Sequence, residues 1–301
     1  MPFFNPTPNK FFAWLFTTAQ DPAVEQKLQS CRDQIVAMFN AMLLHGAEPP
    51  KEWAFAEIVC LFKTGDPDDP GNYRPVALLA AFSKLFTAIL TKRLSDFVEA
   101  NNGILSETQR GGRPDMSTYQ LISTILSIMS VAKATNKTLW ILFLDLKKAF
   151  NSVPFWAVET VLRDMKVPET FIQATMNLYK NLKSRIRLKD ILSELYDEER
   201  GVRQGDTLSP LLWILFLNPL LLFWKYKGIG FKHKTEHAFH LNTMVQAATT
   251  DVSFVDDMAV FITSAAMLTK ATTISSDFFV YYGIEIGIKG LDVILIARTA
   301  R

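Results

Sequence analysis

The chain has 301 residues, 49% of them hydrophobic and 21% charged, so it can bury a sizeable core and is not a disordered chain. Its 32 basic and 30 acidic residues give a net charge of +2, which excludes a uniformly basic nucleic-acid-binding surface and requires any such surface to be local. The two cysteines, Cys31 and Cys60, have no metal-ligand spacing, and they fit a reducing compartment.

Residues 1–18 contain an aromatic cluster but no basic start, long apolar centre or small-residue cleavage site. We therefore expect an intracellular protein of the cytoplasm or nucleus that is not secreted. Apolar residues recur at mostly helical spacing over residues 23–44, and Gly46 and two prolines then end the pattern. The sequence predicts an N-terminal helical extension over residues 1–44, followed by one domain over residues 45–301.

The next elements are a strand and two helices. Residues 54–62 are short and apolar like a strand, and residues 63–73 form a loop rich in Gly, Pro and Asp. Helical patterns follow over residues 83–100 and 117–135. We interpret residues 101–116 between them as a polar linker, because they are rich in Gly and Asn.

Farther along the chain, buried elements are indicated. Residues 139–144 are an unbroken apolar run ending at Asp145, which is typical of a strand buried on both faces. Helices are predicted over residues 155–165 and 169–182. The apolar run 211–224 is shorter than the roughly 20 residues that a bilayer requires, and an Asn-Pro pair interrupts it. It predicts a buried core helix, and we expect no membrane association.

Positive charge is concentrated in residues 180–189. The cations are Lys180, Lys183, Arg185, Arg187 and Lys189. They predict either a phosphate-contacting surface or an edge strand protected by charge, and the sequence favours neither.

Residues 230–241 contain three histidines, His233, His237 and His240, beside Glu236. Their spacing fits no standard metal signature. We interpret this segment as a polar loop.

Two β-prone runs, 252–255 and 258–262, are separated only by Asp256 and Asp257, which is hairpin spacing. Adjacent carboxylates are a poor choice for a tight turn, since they repel by about 1 kcal/mol in water and more when partly desolvated. A divalent cation relieves this repulsion. Asp145 supplies a third carboxylate if its strand lies beside the hairpin in one sheet.

Carboxylate oxygens of this kind suit Mg²⁺, and two such ions roughly 3.5–4 Å apart can activate a hydroxyl and stabilise a leaving oxygen in phosphoryl transfer. The alternative is that Asp256 and Asp257 form a polar turn and that Asp145 caps a helix. The spacing by itself leaves both open.

Four segments carry a family resemblance. They are residues 72–79 (Asn-Tyr-Arg-Pro-Val-Ala-Leu-Leu), residues 143–153, residues 200–212 with a central Gln-Gly, and Phe254-Val-Asp-Asp257. In this order they resemble the fingers motif, the first aspartate motif, the glutamine-glycine motif and the aromatic-x-Asp-Asp signature of reverse transcriptases of the non-LTR retrotransposon kind. Weaker similarity extends from about residue 45 to residue 289.

The resemblance implies a two-metal nucleotidyl transfer. Asp145 and Asp256 are expected to hold two Mg²⁺ ions, for which Mn²⁺ can substitute, and Asp257 is expected to be a supporting carboxylate. A primer 3′-hydroxyl then attacks the α-phosphate of a dNTP. Lys63 and Arg74 match the fingers positions that grip the triphosphate, and Lys289 matches a lysine proposed to protonate pyrophosphate.

Further positions match residues around the nucleotide. Phe150 matches the aromatic gate that crowds out a ribose 2′-hydroxyl, and Gln204 and Gly205 match residues near the nascent base pair. Two positions depart from the family pattern, since Asn151 stands where many relatives have aspartate and Val255 where alanine is commoner.

The resemblance implies an α+β right-hand polymerase with intertwined fingers and palm, in which an antiparallel palm sheet packs on helices. Because the chain ends at Arg301, where a thumb should begin, we expect the thumb to be largely absent. An RNA template, a DNA primer and dNTPs are the expected partners, and further domains of a larger polyprotein are expected.

Other functions share parts of this pattern. An RNA-dependent RNA polymerase usually has Gly-Asp-Asp at the hairpin and a polar residue near the 2′-hydroxyl, whereas this chain has Val255 and Phe150. A group II intron-type reverse transcriptase or maturase and an inactive RNA-binding remnant of a retroelement remain as alternatives.

Overall fold

The computed structural model describes residues 22–101, 103–236 and 244–297. The helices are α1 (Pro22–His45), α2 (Ala81–Ala100), α3 (Thr118–Ala134), α4 (Ala149–Ser152), α5 (Phe155–Asp164), α6 (Glu169–Asn177), α7 (Ser209–Tyr226) and α8 (Ala265–Tyr281). The strands are β1 (Phe55–Phe62), β2 (Tyr73–Leu78), β3 (Leu139–Leu146), β4 (Lys183–Leu188), β5 (Ile191–Leu192), β6 (Tyr196–Asp197), β7 (Phe231–Glu236), β8 (Met244–Thr249), β9 (Asp251–Phe254), β10 (Asp257–Ile262) and β11 (Ile286–Ala297).

One sheet has the strand order β2-β1-β4-β5, and β6 also pairs with β4. Strand β1 is antiparallel to β2 and parallel to β4. Because β4 has partners along both of its sides, the prediction of an edge strand at residues 180–189 is wrong. Its cations are in ion pairs, Lys183 with Asp197 and both Arg185 and Arg187 with Glu57.

The second sheet has the order β11-β3-β10-β9, and all its pairs are antiparallel. Alternate side chains of β3 face opposite ways, so that Leu142 and Leu144 enter the main core whereas Ile141 packs in a second cluster with Ile128 of α3. The sheet is therefore covered by helices on both faces, as predicted for an antiparallel sheet packed on helices. Near the carboxyl end of β3, Phe143 is exposed, so that this end of the strand is not buried on both faces.

Helix α7 is the centre of the main core. Trp213, Phe216 and Trp224 on it are at most 1% exposed, which confirms the predicted core helix. By length and apolarity this helix could cross a membrane, but 67% of it is buried inside the fold. Its length and composition are therefore weak evidence for a membrane span.

Helix α1 packs into the same core through its last turns. Phe39 contacts Trp53 and Phe86, with ring centroids 6.3 and 5.1 Å apart. The division at residues 44 and 45 into an extension and a domain stays a prediction.

Two other predictions differ from the structure. The helix predicted over residues 169–182 ends at Asn177, because the chain turns there to enter β4. The predicted polar loop at 230–241 is wrong in its first half, where β7 pairs with β8 as an antiparallel hairpin. His237 and His240 lie outside the described residues.

Candidate active site

Three carboxylates lie at one end of the β11-β3-β10-β9 sheet. Met258 of β10 pairs with Leu144 of the antiparallel strand β3, so Asp257, one residue before Met258, lies opposite Asp145, one residue after Leu144. Such neighbours have Cβ atoms about 4.5–5.5 Å apart, and like charges in this position destabilise a sheet. Asp256 is in the turn that precedes β10. The structure thus brings together the three acids that the sequence singled out.

The acids affect one another. Burial raises the pKa of Asp256, and the negative charges of Asp257 and Asp145 raise it further, while the guanidinium of Arg74 lowers it. Burial and the charge of Asp145 also raise the pKa of Asp257. These carboxylates therefore form a cluster of negative charge that is only partly compensated by the protein.

The donor set fits Mg²⁺, because it consists of carboxylate oxygens whose mutual repulsion a divalent cation removes. Within the described ranges, no group of three or more Asp, Glu, His or Cys side chains has the geometry to hold a metal ion. Metal binding by Asp145, Asp256 and Asp257 thus stays a prediction.

The hairpin turn lies one residue earlier than its sequence spacing predicts. Strand β9 ends at Phe254 and β10 begins at Asp257, so the two turn residues are Val255 and Asp256. Val255 has a φ of 60°, a left-handed conformation that is uncommon for a β-branched residue and costs on the order of 1–3 kcal/mol. Hydrogen bonds from outside the hairpin are made to Val255 in this conformation.

Two side chains that the sequence analysis did not single out supply those bonds. Gln109 accepts a hydrogen bond from the Val255 N–H at 3.2 Å and donates one to the Val255 carbonyl at 3.3 Å. Trp213 of α7 donates its Nε1–H to the same carbonyl at 3.0 Å. In the sequence, a glutamine near Gly111 and Gly112 in a predicted polar linker was only a weak signal of a structural role. Trp213 lies in a mostly apolar run and gave no such signal.

Phe150 is half-buried and stacks on Trp213, with ring centroids 5.8 Å apart and an interplanar angle of 21°. Trp213 therefore contacts both the candidate sugar gate and the hairpin turn. The backbone of Phe150 is fixed too, because its carbonyl accepts a hydrogen bond from Val202 at 2.8 Å. The gate role itself stays a prediction.

The Gln204-Gly205 pair contacts β2. The Gln204 carbonyl accepts a hydrogen bond from the Ala77 N–H at 2.7 Å. Gly205 has a φ of 113°, and a Cβ there would lie 2.8 Å from the Ala77 carbonyl oxygen. Gln204 and Gly205 therefore pack closely against β2, and their predicted place near the nascent base pair stays a prediction.

The predicted triphosphate contacts lie on and after the first strands. Lys63 follows β1 and is exposed, and Arg74 on β2 is exposed and close enough to Asp256 to affect its pKa. Lys289 falls in β11, but its side chain lies outside the described residues. The nucleotide-binding roles of all three remain predictions.

Comparison with known proteins places these features in a family. A family model described as reverse transcriptase (RNA-dependent DNA polymerase) matches residues 63–289. A Pol polyprotein from the type-1 retrotransposable element R2 of Nasonia vitripennis is 29% identical over 187 residues, which cover 62% of this chain and 18% of that protein. A probable RNA-directed DNA polymerase from transposon X-element of Drosophila melanogaster is 28% identical over 184 residues, covering 60% of this chain and 20% of that protein.

Solved structures agree with the fold. An apo telomerase from Candida tropicalis, truncated from its C-terminal domain, superposes with a TM-score of 0.57 at 12% identity, covering 88% of this chain and 55% of that one. This likeness confirms the α+β polymerase-type fold and carries no information on substrate. The chain spans about a fifth of the length of the two retrotransposon relatives named above.

Proposed function

Because the chain belongs to the reverse transcriptase family, we propose that it is the polymerase core of a non-LTR retrotransposon, which extends a DNA primer with dNTPs on an RNA template. The observation that carries this proposal is that Asp145, Asp256 and Asp257 lie at one end of the sheet. Phe150 stacks on Trp213, which in turn donates a hydrogen bond to the hairpin turn. The relatives from R2 and X-element favour the retrotransposon branch over an intron-encoded maturase.

The carboxylates are the proposed metal ligands. Asp145 and Asp256 would hold two Mg²⁺ ions and Asp257 would support them. When bound, the ions supply Lewis-acid chemistry, making the primer 3′-hydroxyl a better nucleophile and stabilising the leaving pyrophosphate oxygen.

The other residues bind and orient. Arg74 and Lys63 are cations that would contact the triphosphate, and the charge of Arg74 lowers the pKa of Asp256. The ring of Phe150 would lie under the deoxyribose and exclude a 2′-hydroxyl by its volume. Gln204 and Gly205 would lie near the nascent base pair. The hydrogen bond from Ala77 to the Gln204 carbonyl would hold β2 beside them.

Partners and location follow from this proposal. The relatives carry the names of Pol polyproteins, so we propose that further domains accompany this core in its native protein. An intracellular location is proposed because RNA templates and dNTPs are found inside cells.

The test is primer extension by the full chain on poly-riboadenylate with an oligo-deoxythymidylate primer, dTTP and Mg²⁺. We expect Mg²⁺-dependent products that are lost on chelation and in the variants Asp145→Asn and Asp256→Asn. A folded wild-type chain that gives no product, or variants as active as wild type, would refute the proposal. A group II intron-type enzyme would instead prefer its own structured intron RNA over a homopolymer.

A further inference from the structure

The hairpin turn beside the carboxylates needs support from outside the hairpin. Val255 is in the left-handed region with a φ of 60°, where its two γ-methyl groups crowd the backbone. A free hairpin of this sequence would be expected to relax to a different turn, since the favoured two-residue turns use Gly or Asn at such positions. Asp256 follows directly in the chain. A relaxed turn would therefore redirect the Asp256 carboxylate.

Gln109 supplies this support from a fully buried position. Its side chain is 0% exposed, and its amide bonds both polar groups of Val255, the N–H through Oε1 and the carbonyl through Nε2. Oε1 also accepts the N–H of Gly111 at 3.0 Å. These contacts fix the peptide units on both sides of Val255, and the second of those units carries the N–H of Asp256.

The orientation of the Gln109 amide follows from its partners. Two N–H donors, those of Val255 and Gly111, point at one atom of the amide, and a carbonyl faces the other. A flipped amide would set its own NH₂ group against both donors. Gln109 therefore needs both an acceptor and a donor at its end, neither of which Met provides.

The backbone around Gln109 is paired to the hairpin like an added strand. Ser253 of β9 donates its N–H to the Thr108 carbonyl at 3.0 Å, and its own carbonyl accepts from the Arg110 N–H at 2.9 Å. At Gly111 a Cβ would lie 2.3 Å from the Val255 nitrogen, so only glycine allows this approach. Residues 108–111 are thus bonded to β9 and packed against the turn.

The linker residues on either side of residues 108–111 are bonded to two helices. Arg113 makes two hydrogen bonds to Glu99 of α2, at 2.7 and 2.8 Å. Asn218 of α7 accepts from the Ser106 N–H at 2.8 Å and donates to the Ile104 carbonyl at 2.6 Å. The support under Val255 is therefore anchored in the main core and does not depend on the hairpin itself.

We propose that Gln109 is a positioning residue, which holds the Val255–Asp256 peptide so that the Asp256 carboxylate faces Asp145. This inference rests on the proposed function, because it assigns Gln109 a part in holding the metal ligands. Gln109 contacts no reacting atom and acts through Val255.

The test uses Gln109→Met, which keeps the length of the side chain and removes both hydrogen-bonding groups. The matched control is Gln29→Met at an exposed glutamine of α1. Three quantities are measured: kcat and KM for dTTP, Mn²⁺ affinity by electron paramagnetic resonance titration, and Tm. We expect Gln109→Met to lower kcat about 10- to 100-fold with KM changed less than about threefold. Mn²⁺ affinity should fall about tenfold.

A second background separates positioning from general loss of structure. In Val255→Gly the left-handed conformation carries no steric cost, so the support matters less. The kcat and Mn²⁺-affinity penalties of Gln109→Met should shrink to less than about threefold there, measured against Val255→Gly alone.

The outcomes are distinct. Equal penalties in both backgrounds, or a Gln109→Met variant with wild-type kcat and Mn²⁺ affinity, would overturn the positioning role. A wild-type chain without primer extension would instead overturn the proposed function. In that case the Mn²⁺ titration still decides whether Gln109 positions the carboxylates.

Discussion

The β9–β10 hairpin and the 101–116 linker meet at Val255 and have opposite characters. The hairpin carries the chemical groups, two neighbouring carboxylates and a left-handed valine, each of which makes the folded chain less stable. The linker carries no reacting group, but its buried Gln109 and its pairing with Ser253 stabilise the hairpin. The reacting groups and the residues that support them therefore lie in different parts of the sequence. Substitutions of the hairpin carboxylates should lower activity without lowering stability, whereas substitutions in the linker should also lower stability.

The largest effect is expected from the hairpin, in Asp256→Asn. Loss of this ligand should lower the rate of primer extension by about 1,000-fold or more, since the metal contributes several kcal/mol to the transition state. Without Mg²⁺ the variant should have an equal or higher Tm, because one member of a repelling cluster is gone. Primer extension and thermal unfolding in a chelator check this, with Asp190→Asn as an exposed control. A rate within tenfold of wild type, or a Tm several degrees lower, would contradict it.

A linker substitution should act on both quantities. In Gly111→Ala the new Cβ meets the Val255 nitrogen at 2.3 Å, so the linker must move away from the turn. We expect about 100-fold lower activity, together with a loss of stability of about 1–3 kcal/mol from overpacking.

Gly112→Ala is the matched control for Gly111→Ala. Its left-handed φ of 70° carries a strain of about 1–2 kcal/mol, but the nearest atom to a Cβ is 3.7 Å away. It should therefore lose stability while keeping most of its activity. Equal activity losses at the two glycines would show that contact with the turn is not what matters.

A smaller effect is expected at Phe150, which stacks on Trp213, the second side chain that bonds to the hairpin turn. Phe150→Ala removes the ring that stacks on Trp213 and opens space under the sugar. The ratio of kcat/KM for dNTP over rNTP should fall about 10- to 100-fold, because only volume excludes the 2′-hydroxyl there. Phe155→Ala, which removes a ring packed on Tyr179, should leave the ratio unchanged. An unaltered ratio in a folded, active Phe150→Ala variant would exclude Phe150 as the gate.

The smallest effect on catalysis is expected at Asp251, which joins β9 to the linker. Burial raises the pKa of this carboxyl to about 6, although Ser253 and Thr108 bond to it, and one of its oxygens has no partner. The folded state therefore holds the proton more tightly than the unfolded state, and stability should fall as pH rises from about 4 to about 6.

Asp251→Asn removes this titration. Against that variant, wild type should lose on the order of 1–3 kcal/mol of unfolding free energy across this pH range. Urea unfolding at a series of pH values measures it. Parallel pH profiles for the two proteins would show that Asp251 is not the group that titrates.

Much of the fold could be predicted from the sequence, because its patterns are local. The apolar spacing of residues 23–44 and the mostly apolar run 211–224 predicted α1 and α7 to within two residues at each end. The run before Asp145 gave β3, and the order of four motifs gave the family, which the match over residues 63–289 bears out. The β4 environment was not predictable, because pairing with β1 joins segments that are far apart in the chain.

The sequence by itself determined the spacing of the apolar residues, and this spacing predicted the helices and the main strands. It also determined the positions of the three candidate carboxylates. Only the tertiary structure showed that the turn is Val255-Asp256, where Val255 is bonded to Gln109 and Trp213, which lie 146 and 42 positions away along the chain. Propensity and periodicity report on neighbours within a few residues, whereas hydrogen bonds from a distant segment can outweigh them at a single turn. For the same reason Gln109, in a segment that is polar and rich in glycine by composition, is fully buried beside a candidate metal ligand.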